Sequence, residues 1–305
     1  MSTHPDIEPL AGAEAPASAA RRSRKRGRDN RRFPLFLVPV LIFYLLFFGY
    51  PLLRIFWQSV TGMGGGFTLE GYAMFFEEPA YWAVLGYTGV LGLLTLAITL
   101  VCGYAVAYWL VKLDKTWAVM MMAFVLIPFW SSGLVRTYAW LVILGRQGVL
   151  NTFLADFGLI DSPIAFIGTN TAVVFALAYY LLPYMILSIY SVMKGIDRNL
   201  LLAAQNLGAS PARAFRHVFF PLTRPGILAG GYMVFMLGIG MYITPAMLGG
   251  PDQTTLPLVI AIQINEAMDW TFAATLSVIL LLVTGLMQLG ANRFLDFERL
   301  WGGAR

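Results

Sequence analysis

The sequence predicts an all-α integral membrane protein with six transmembrane helices, and three observations predict it. Hydrophobic residues make up 58% of the 305 residues and charged residues only 12%, more apolar surface than one soluble core can use and the composition a bilayer accepts. Six apolar runs, approximately 35–53, 82–111, 117–144, 171–193, 226–248 and 272–294, reach the roughly 20 helical residues that cross a hydrocarbon core about 30 Å thick. Basic residues are also segregated. With the N-terminus inside, the inner segments hold 18 of the 21 Lys and Arg, leaving Arg54, Arg136 and Arg146 on or near the outer side. The acids divide 8 and 8, so the inside carries +10 and the outside −5, which recovers the net +5. Cytoplasmic loops keep Lys and Arg, and both termini are therefore expected to be cytoplasmic.

Residues 1–32 are rich in Ala, Ser, Arg and Pro and poor in large apolar residues, so a disordered basic cytoplasmic tail is expected. Its arginines beside an apolar span read as a topology signal rather than a nucleic-acid surface, and no nucleic-acid partner is expected. The adjoining apolar run is long for a signal peptide and no A-x-A site follows it, so 33–58 is expected to stay as the first transmembrane helix. A periplasmic segment, 59–81, and a core of five helices, 82–295, come next, with a short cytoplasmic tail at 296–305. Within 59–81, Gly62-Met-Gly-Gly-Gly-Phe-Thr68 lacks both the Lys and the preceding strand of a phosphate-binding loop, and reads as an outer turn. The run from Trp82 exceeds what one crossing needs, so its ends project or the helix tilts.

The lone Cys102, in the second span, excludes a disulfide framework and a cysteine metal cluster. His4 and His217 fall in a tail and an interfacial helix. No catalytic residue, metal site or bound cofactor is predicted for this chain.

Charge inside hydrocarbon marks function by default. The clearest case is Arg136, in Pro128-Phe-Trp-Ser-Ser-Gly-Leu-Val-Arg-Thr-Tyr-Ala-Trp140, where facing lipid at mid-membrane would cost roughly 2.5–3.5 kcal/mol. Two readings stay open: part of an outer gate, or a structural contact to an outer acid or backbone carbonyls. Pro183, Pro245 and Gly238-Ile-Gly240 permit kinks where a gate moves. Leu256-Pro-Leu-Val-Ile-Ala-Ile-Gln263 is too short to cross, and reads either as a periplasmic or re-entrant helix near a gate or as a packed connection.

The segment from Asp197 to Pro221 is different in kind. Asp197 precedes a helical run and Gly208 stands where a helix end tolerates positive φ, which predicts one short helix over 198–207. Ser210 caps a second, with Pro211 at its first position, ending near Pro221. Leu200, Ala203, Ala204 and Leu207 share a face, as do Ala212, Phe215 and Phe219. Such a pair can lie on lipid headgroups. Small residues at Ala203, Ala204 and Gly208 instead suit the close approach of a partner backbone.

This segment resembles the EAA loop of membrane subunits of binding-protein-dependent ABC importers, whose pattern is E-A-A, three residues, G, nine residues, I-x-L-P. Ala203, Ala204, Gly208 and Pro221 match it; Leu202, Val218 and Phe220 replace the glutamate, isoleucine and leucine. The resemblance implies the type I importer permease (MetI-like) fold. It makes Leu202, Ala203, Ala204, Gly208, Ala209, Ser210, Phe215 and Pro221 the surface that couples to an ATPase, with ATP and Mg held on that partner chain. The Pro128–Trp140 stretch, Gly148-Val-Leu-Asn151-Thr-Phe-Leu154 and Thr244-Pro-Ala-Met-Leu-Gly-Gly-Pro251 resemble the first permease subunit of spermidine/putrescine importers. Opine, iron and aminophosphonate permeases share much of this pattern.

Implied partners are a second permease subunit, two ATP-binding cassette subunits, a periplasmic or extracellular substrate-binding protein and the lipid of a bacterial inner membrane. A polyamine path is expected to offer aromatic faces and carboxylates. Trp130, Arg136, Tyr138, Trp140, Tyr179, Tyr180 and Tyr242 are the pathway and gate candidates, while the acids Asp252, Glu266 and Asp269 all lie outside the spans. Two rival classes lack their signatures: an ion-coupled transporter calls for inverted repeats or intramembrane acids, and a membrane enzyme for clustered Asp, Glu, His or Cys.

Overall fold

The computed structural model describes residues 33–62 and 65–295; the expected tails 1–32 and 296–305 lie outside the described residues. Two compact units divide the chain, Met1–Arg54 and Ile55–Arg305. Among the described residues the structure is helical, with one isolated bridge between Thr61 and Phe67.

Helices α1 (Phe33–Tyr44) and α2 (Tyr50–Ser59) are joined by a π turn, Leu45–Gly49, in which Tyr50 N donates to Leu45 O. Together they supply a 22-residue apolar helix, Val38–Ser59. The π turn has a cause in Pro51, which has no N–H to give to Phe47 and whose ring would strike that carbonyl in a regular helix.

The second unit continues with α3 (Glu70–Glu77), α4 (Pro79–Lys112) and α5 (Lys115–Leu126), then a 3-10 turn at Ile127–Trp130, α6 (Gly133–Leu144) and α7 (Val149–Asp156). Helix α8 (Asn170–Lys194) leads to α9 (Arg198–Asn206), α10 (Pro211–Ala214), a π turn at Phe215–Phe219 and α11 (Phe220–Ile239). Last come α12 (Ile243–Leu248), α13 (Leu256–Asn265) and α14 (Trp270–Leu295).

The core is α4, α8 and α11, meeting through Ala107, Leu181, Met185, Ile189 and Val234. Lipid tails are as apolar as these side chains, so helices in a membrane associate by close packing and small residues rather than by water exclusion. At Gly103 a Cβ would stand 2.7 Å from Met185 Cγ, and at Gly226 it would stand 2.9 Å from Ser188 O. The space so left is used by a hydrogen bond, Ser188 Oγ donating to Gly226 O at 2.9 Å. Two of the three buried threonines of α4 satisfy themselves locally, Thr88 Oγ1 donating to Val84 O at 2.7 Å and Thr99 Oγ1 to Thr95 O at 2.8 Å, while Thr95 Oγ1 has no partner. Thr88 Oγ1 also accepts from Leu256 N at 2.9 Å, which anchors the start of α13. Helix α13 then packs on α14 and α3 around Phe75, Leu256, Phe272 and Leu276, so the short apolar run is a helix held against its neighbours.

Three elements differ from their sequence reading. The run 117–144 is not one straight helix: Lys115–Trp130 and Gly133–Asp156 are bent by 99°. The break falls at Ser131 and Ser132, which are extended (ψ 142° and 141°), just after the 3-10 turn that contains Pro128. Pro128 O accepts from both Ser131 N at 3.3 Å and Ser131 Oγ at 3.0 Å, which closes the turn at the break. The run 226–248 begins earlier, at Phe220, and stops at Ile239, where Gly238-Ile-Gly240 ends the helix and α12 starts afresh. Helix α10 does not finish near Pro221 but continues through it, because a π turn before the proline, with Phe220 N donating to Phe215 O, opens room as at Pro51. Among the described residues five helices are thus long and apolar enough to cross, and the bent pair makes up to six.

The segment that follows α6 has a polar lock. Asn151, 2% exposed, donates through Nδ2 to Gly145 O and Ile164 O, both at 2.9 Å, and accepts from Ile164 N at 2.8 Å. Gly148 sits against the carbonyls of Val142 and Ile143, leaving no place for a Cβ. The Gly-x-x-Asn spacing is therefore a structural clasp. Asn151→Ala is expected to cost about 2–4 kcal/mol, since three hydrogen bonds at about 0.5–1.5 kcal/mol each disappear and their partners stay enclosed. A lowered thermal unfolding midpoint in detergent checks this.

Candidate coupling surface and transport path

The segment between α8 and α11 has the capping chemistry its residues imply. Asp197 Oδ1 accepts from Asn199 N at 2.9 Å and opens α9. The helix closes with Gly208 at φ +88°, Gly208 N donating to Gln205 O at 2.9 Å and Ala209 N to Ala204 O at 3.0 Å. Only glycine takes that backbone conformation without strain. Ser210 Oγ accepts from Arg213 N at 3.4 Å and Pro211 occupies the first helical position. A stiff, capped helix is the result.

Its outer face is apolar and unburied. Leu200 is 47% exposed and Leu207 89%; Ala203, Gly208 and Ser210 are exposed and Ala204 and Ala209 half-buried, while Leu202, 55% exposed, lies on the other side and lines a cavity behind the helix. The face predicted from spacing is the outward one at Leu200, Ala203 and Leu207, while Leu201 turns inward against the core.

Phe215 and Pro221 have a different place. The Phe215 and Phe219 rings stack with centroids 5.6 Å apart, and both meet the Tyr108 ring edge-on at 5.3 and 5.6 Å. Tyr104 adds a second contact, its ring 5.8 Å from Phe220 and its hydroxyl 3.4 Å from Thr223 Oγ1. Half-buried Phe215 is thus a joint between the capped helix and the end of α4, and half-buried Pro221 lies inside the continuous helix Pro211–Ile239. Displacing α9 would move α4 and α11 together. Tyr108 was not among the sequence candidates; its signal was an aromatic one turn from the end of a span, indistinguishable there from an interfacial belt residue.

Among the pathway candidates the structure makes two pairs. The Arg136 guanidinium carbon lies 4.1 Å from the Tyr180 ring centroid, and Arg136 Nε is buried without a hydrogen-bond partner. Trp140 meets Tyr179 edge-on, centroids 5.9 Å apart. Trp130, Tyr138 and Tyr242 are exposed, at 81%, 60% and 46%, and among the described residues they join neither pair. Two further groups belong to this neighbourhood. Tyr184, one helical turn from Tyr180, meets Phe129 edge-on at 4.9 Å. Thr137 and Thr244, both buried, bring their hydroxyls within 3.5 Å and tie α6 to α12.

Comparison with known proteins places this geometry in context. Residues 33–296 match the family described as binding-protein-dependent transport system inner membrane component. A spermidine/putrescine transport system permease protein PotB from Salmonella typhimurium is 37% identical over 223 residues, covering 73% of this chain and 77% of that protein. The PotB of Haemophilus influenzae is 33% identical over 269 residues, covering 85% and 92%. Among solved structures, a chain of a bacterial ABC transporter that imports the acidic polysaccharide alginate superposes with a TM-score of 0.74 at 16% identity, covering 92% of this chain and 100% of that one. Fold, apolar spans and sequence agree: the chain belongs to the family of inner-membrane permease components of binding-protein-dependent ABC transport systems.

Proposed function

We propose that this chain is one of two permease subunits of an importer for polyamines, spermidine or putrescine, driven by ATP hydrolysed on two partner ATPase subunits that hold the Mg. A substrate-binding protein outside the membrane would deliver the solute. The observation that carries the reading is the stiff, capped, apolar helix α9, whose exposed Leu200, Ala203 and Leu207 face is linked through Tyr108, Phe215 and Phe219 to the spans. Identity with PotB proteins over most of the chain supports the substrate class. The charge distribution supports cytoplasmic termini and puts α9 on the same side.

ATP-driven closure of the ATPases would press on Asp197–Pro221, and the aromatic joint would pass that displacement to α4 and α11. The path between spans then opens outward to receive solute. Since the spans bear no deep carboxylate, selectivity for a polycation would rest with the binding protein, and Arg136 over Tyr180 would hold the outer side shut until delivery. The same architecture serves an opine, aminophosphonate or ferric iron equally well, and that is the alternative the test separates.

The test is co-expression with the neighbouring permease and ATPase, reconstitution in liposomes, and ATP hydrolysis driven by binding protein loaded with spermidine, putrescine or unrelated solutes. Stimulation by polyamine-loaded protein is expected; stimulation by another solute alone would keep the importer and discard polyamines. In the same assay Tyr180→Leu removes a ring face worth about 0.5–2 kcal/mol to the guanidinium. Hydrolysis without loaded binding protein is expected to rise roughly fivefold, and an unchanged rate would remove Arg136 from the gate.

A further inference from the structure

We propose that the cavity behind α9 is a binding site for an anionic phospholipid. It measures about 960 Å³, is open on one side, and is lined by the end of α4, the start of α5, the end of α8, α9 and the turn at Phe215–Phe219. Leu110, Ala118, Met193 and Phe219 give it apolar walls, and three lysines, Lys112, Lys115 and Lys194, stand around it. All three come from helix ends that the charge distribution puts at the cytoplasmic boundary of the bilayer, where anionic headgroups concentrate basic side chains.

Two of the ammonium groups are held in place by rings rather than by acids. Lys112 Nζ lies 4.0 Å from the Tyr108 ring centroid and Lys194 Nζ 5.9 Å from that of Tyr190, and both tyrosines line the cavity. Among the described residues none of the three lysines pairs with a carboxylate, and Asp114, between two of them in sequence, is not part of the lining. Lys112, Lys115 and Lys194 are exposed, and three like charges gathered on one cavity without a counter-ion attract an anion.

The combination selects the occupant. Apolar walls leading to a ring of ammonium groups suit acyl chain below and phosphodiester above, whereas a soluble phosphate has no use for the walls. A polyamine is excluded by charge, so this is not a second substrate site. Leu202, Gln205 and Phe215 also line the cavity, so a bound lipid would brace α9 and the aromatic joint from behind. Leu202, where the family pattern has glutamate, keeps a carboxylate out of this wall. The inference rests on the inward orientation of these helix ends and not on the polyamine reading.

The test uses the whole transporter in nanodiscs of phosphatidylcholine with graded phosphatidylglycerol, and native mass spectrometry to count retained lipid without substrate or nucleotide. Retention of phosphatidylglycerol over phosphatidylcholine is expected. The K112Q/K115Q/K194Q variant is expected to lose it by about a hundredfold in affinity, from roughly fivefold per lysine, and the triple arginine variant is expected to keep it. Equal retention of both lipids, or equal retention by wild type and the glutamine variant, overturns the proposal. Displacement by soluble glycerol phosphate assigns the site to a soluble anion and overturns it too. Glutamine substitution that releases the ATPase subunits while lipid retention persists would show that the lysines serve the protein interface instead. Because retention is read without transport, failure here is separate from failure of the polyamine assignment.

Discussion

Gly226→Val is expected to abolish recovery of a folded transporter. A Cβ at this position meets Ser188 O at 2.9 Å, Ile189 Cα at 3.0 Å and Val192 Cβ at 3.1 Å. Two of those atoms are backbone and cannot rotate aside, so α11 must move away from α8. Separation breaks the 2.9 Å hydrogen bond from Ser188 Oγ to Gly226 O and loosens the contacts around Ile189 and Val234. Overpacking of this kind costs about 1–3 kcal/mol or more, and valine brings two further carbons into the same contact. A domain whose whole stability is about 5–15 kcal/mol loses a large share. Gly86→Val is the control, since a Cβ at Gly86 meets nothing within 4 Å. Monodisperse yield and thermal midpoint after purification are the readouts; a Gly226→Val protein as stable as the control would refute close packing of α8 on α11.

Ala203→Arg is expected to leave the fold intact and to remove the ATPase subunits. Ala203 is exposed on a well-capped helix and arginine is a good helix former, so the change costs the isolated chain little. At an interface that needs close backbone approach, the long side chain occupies the partner's space. Leu207→Ser tests the same face by deletion, taking away an apolar side chain that is 89% exposed and therefore stabilises nothing within this chain. Central apolar contacts of an interface are worth about 2 kcal/mol or more, so association is expected to weaken about thirtyfold for either variant. Co-purification and light scattering measure it. Unchanged association with both variants would place the docking face elsewhere.

The contrast between these two sites explains what could be read early. Capping at Asp197, Gly208 and Ser210 depends on side-chain atoms and φ values within three residues of each helix end, so local chemistry predicts it and the hydrogen bonds observed follow it. The bend of 99° at Pro128–Gly133 was harder to read, although the proline, serines and glycine were in view. Hydropathy registers composition and is blind to direction, so an apolar run that turns looks like one that crosses. Pro221 misled in the opposite sense, because a π turn absorbed a proline that ordinarily ends a helix.

Arg136 marks a similar limit. Its cost in hydrocarbon follows from the residue type alone, but its position over Tyr180, on a helix more than forty positions later, follows only from how α6 packs on α8. Tyr108 and Tyr184 went unrecognised for the same reason, since an aromatic near the end of a span carries no sign of which ring it will meet. Asn151 stood within a recognisable motif, yet its role as a clasp on Gly145 and Ile164 required the loop to fold back on itself.

The sequence by itself determined that the chain crosses a membrane, that its basic residues are segregated among the loops and where a capped helix interrupts the spans, because transfer free energies and capping act residue by residue or within a turn. Tertiary structure alone decided which ring holds Arg136, how Phe215 joins α9 to the core, and that a cavity with three lysines lies behind it. Those features depend on contacts between residues far apart in sequence, and only the packing of helices onto one another brings them together.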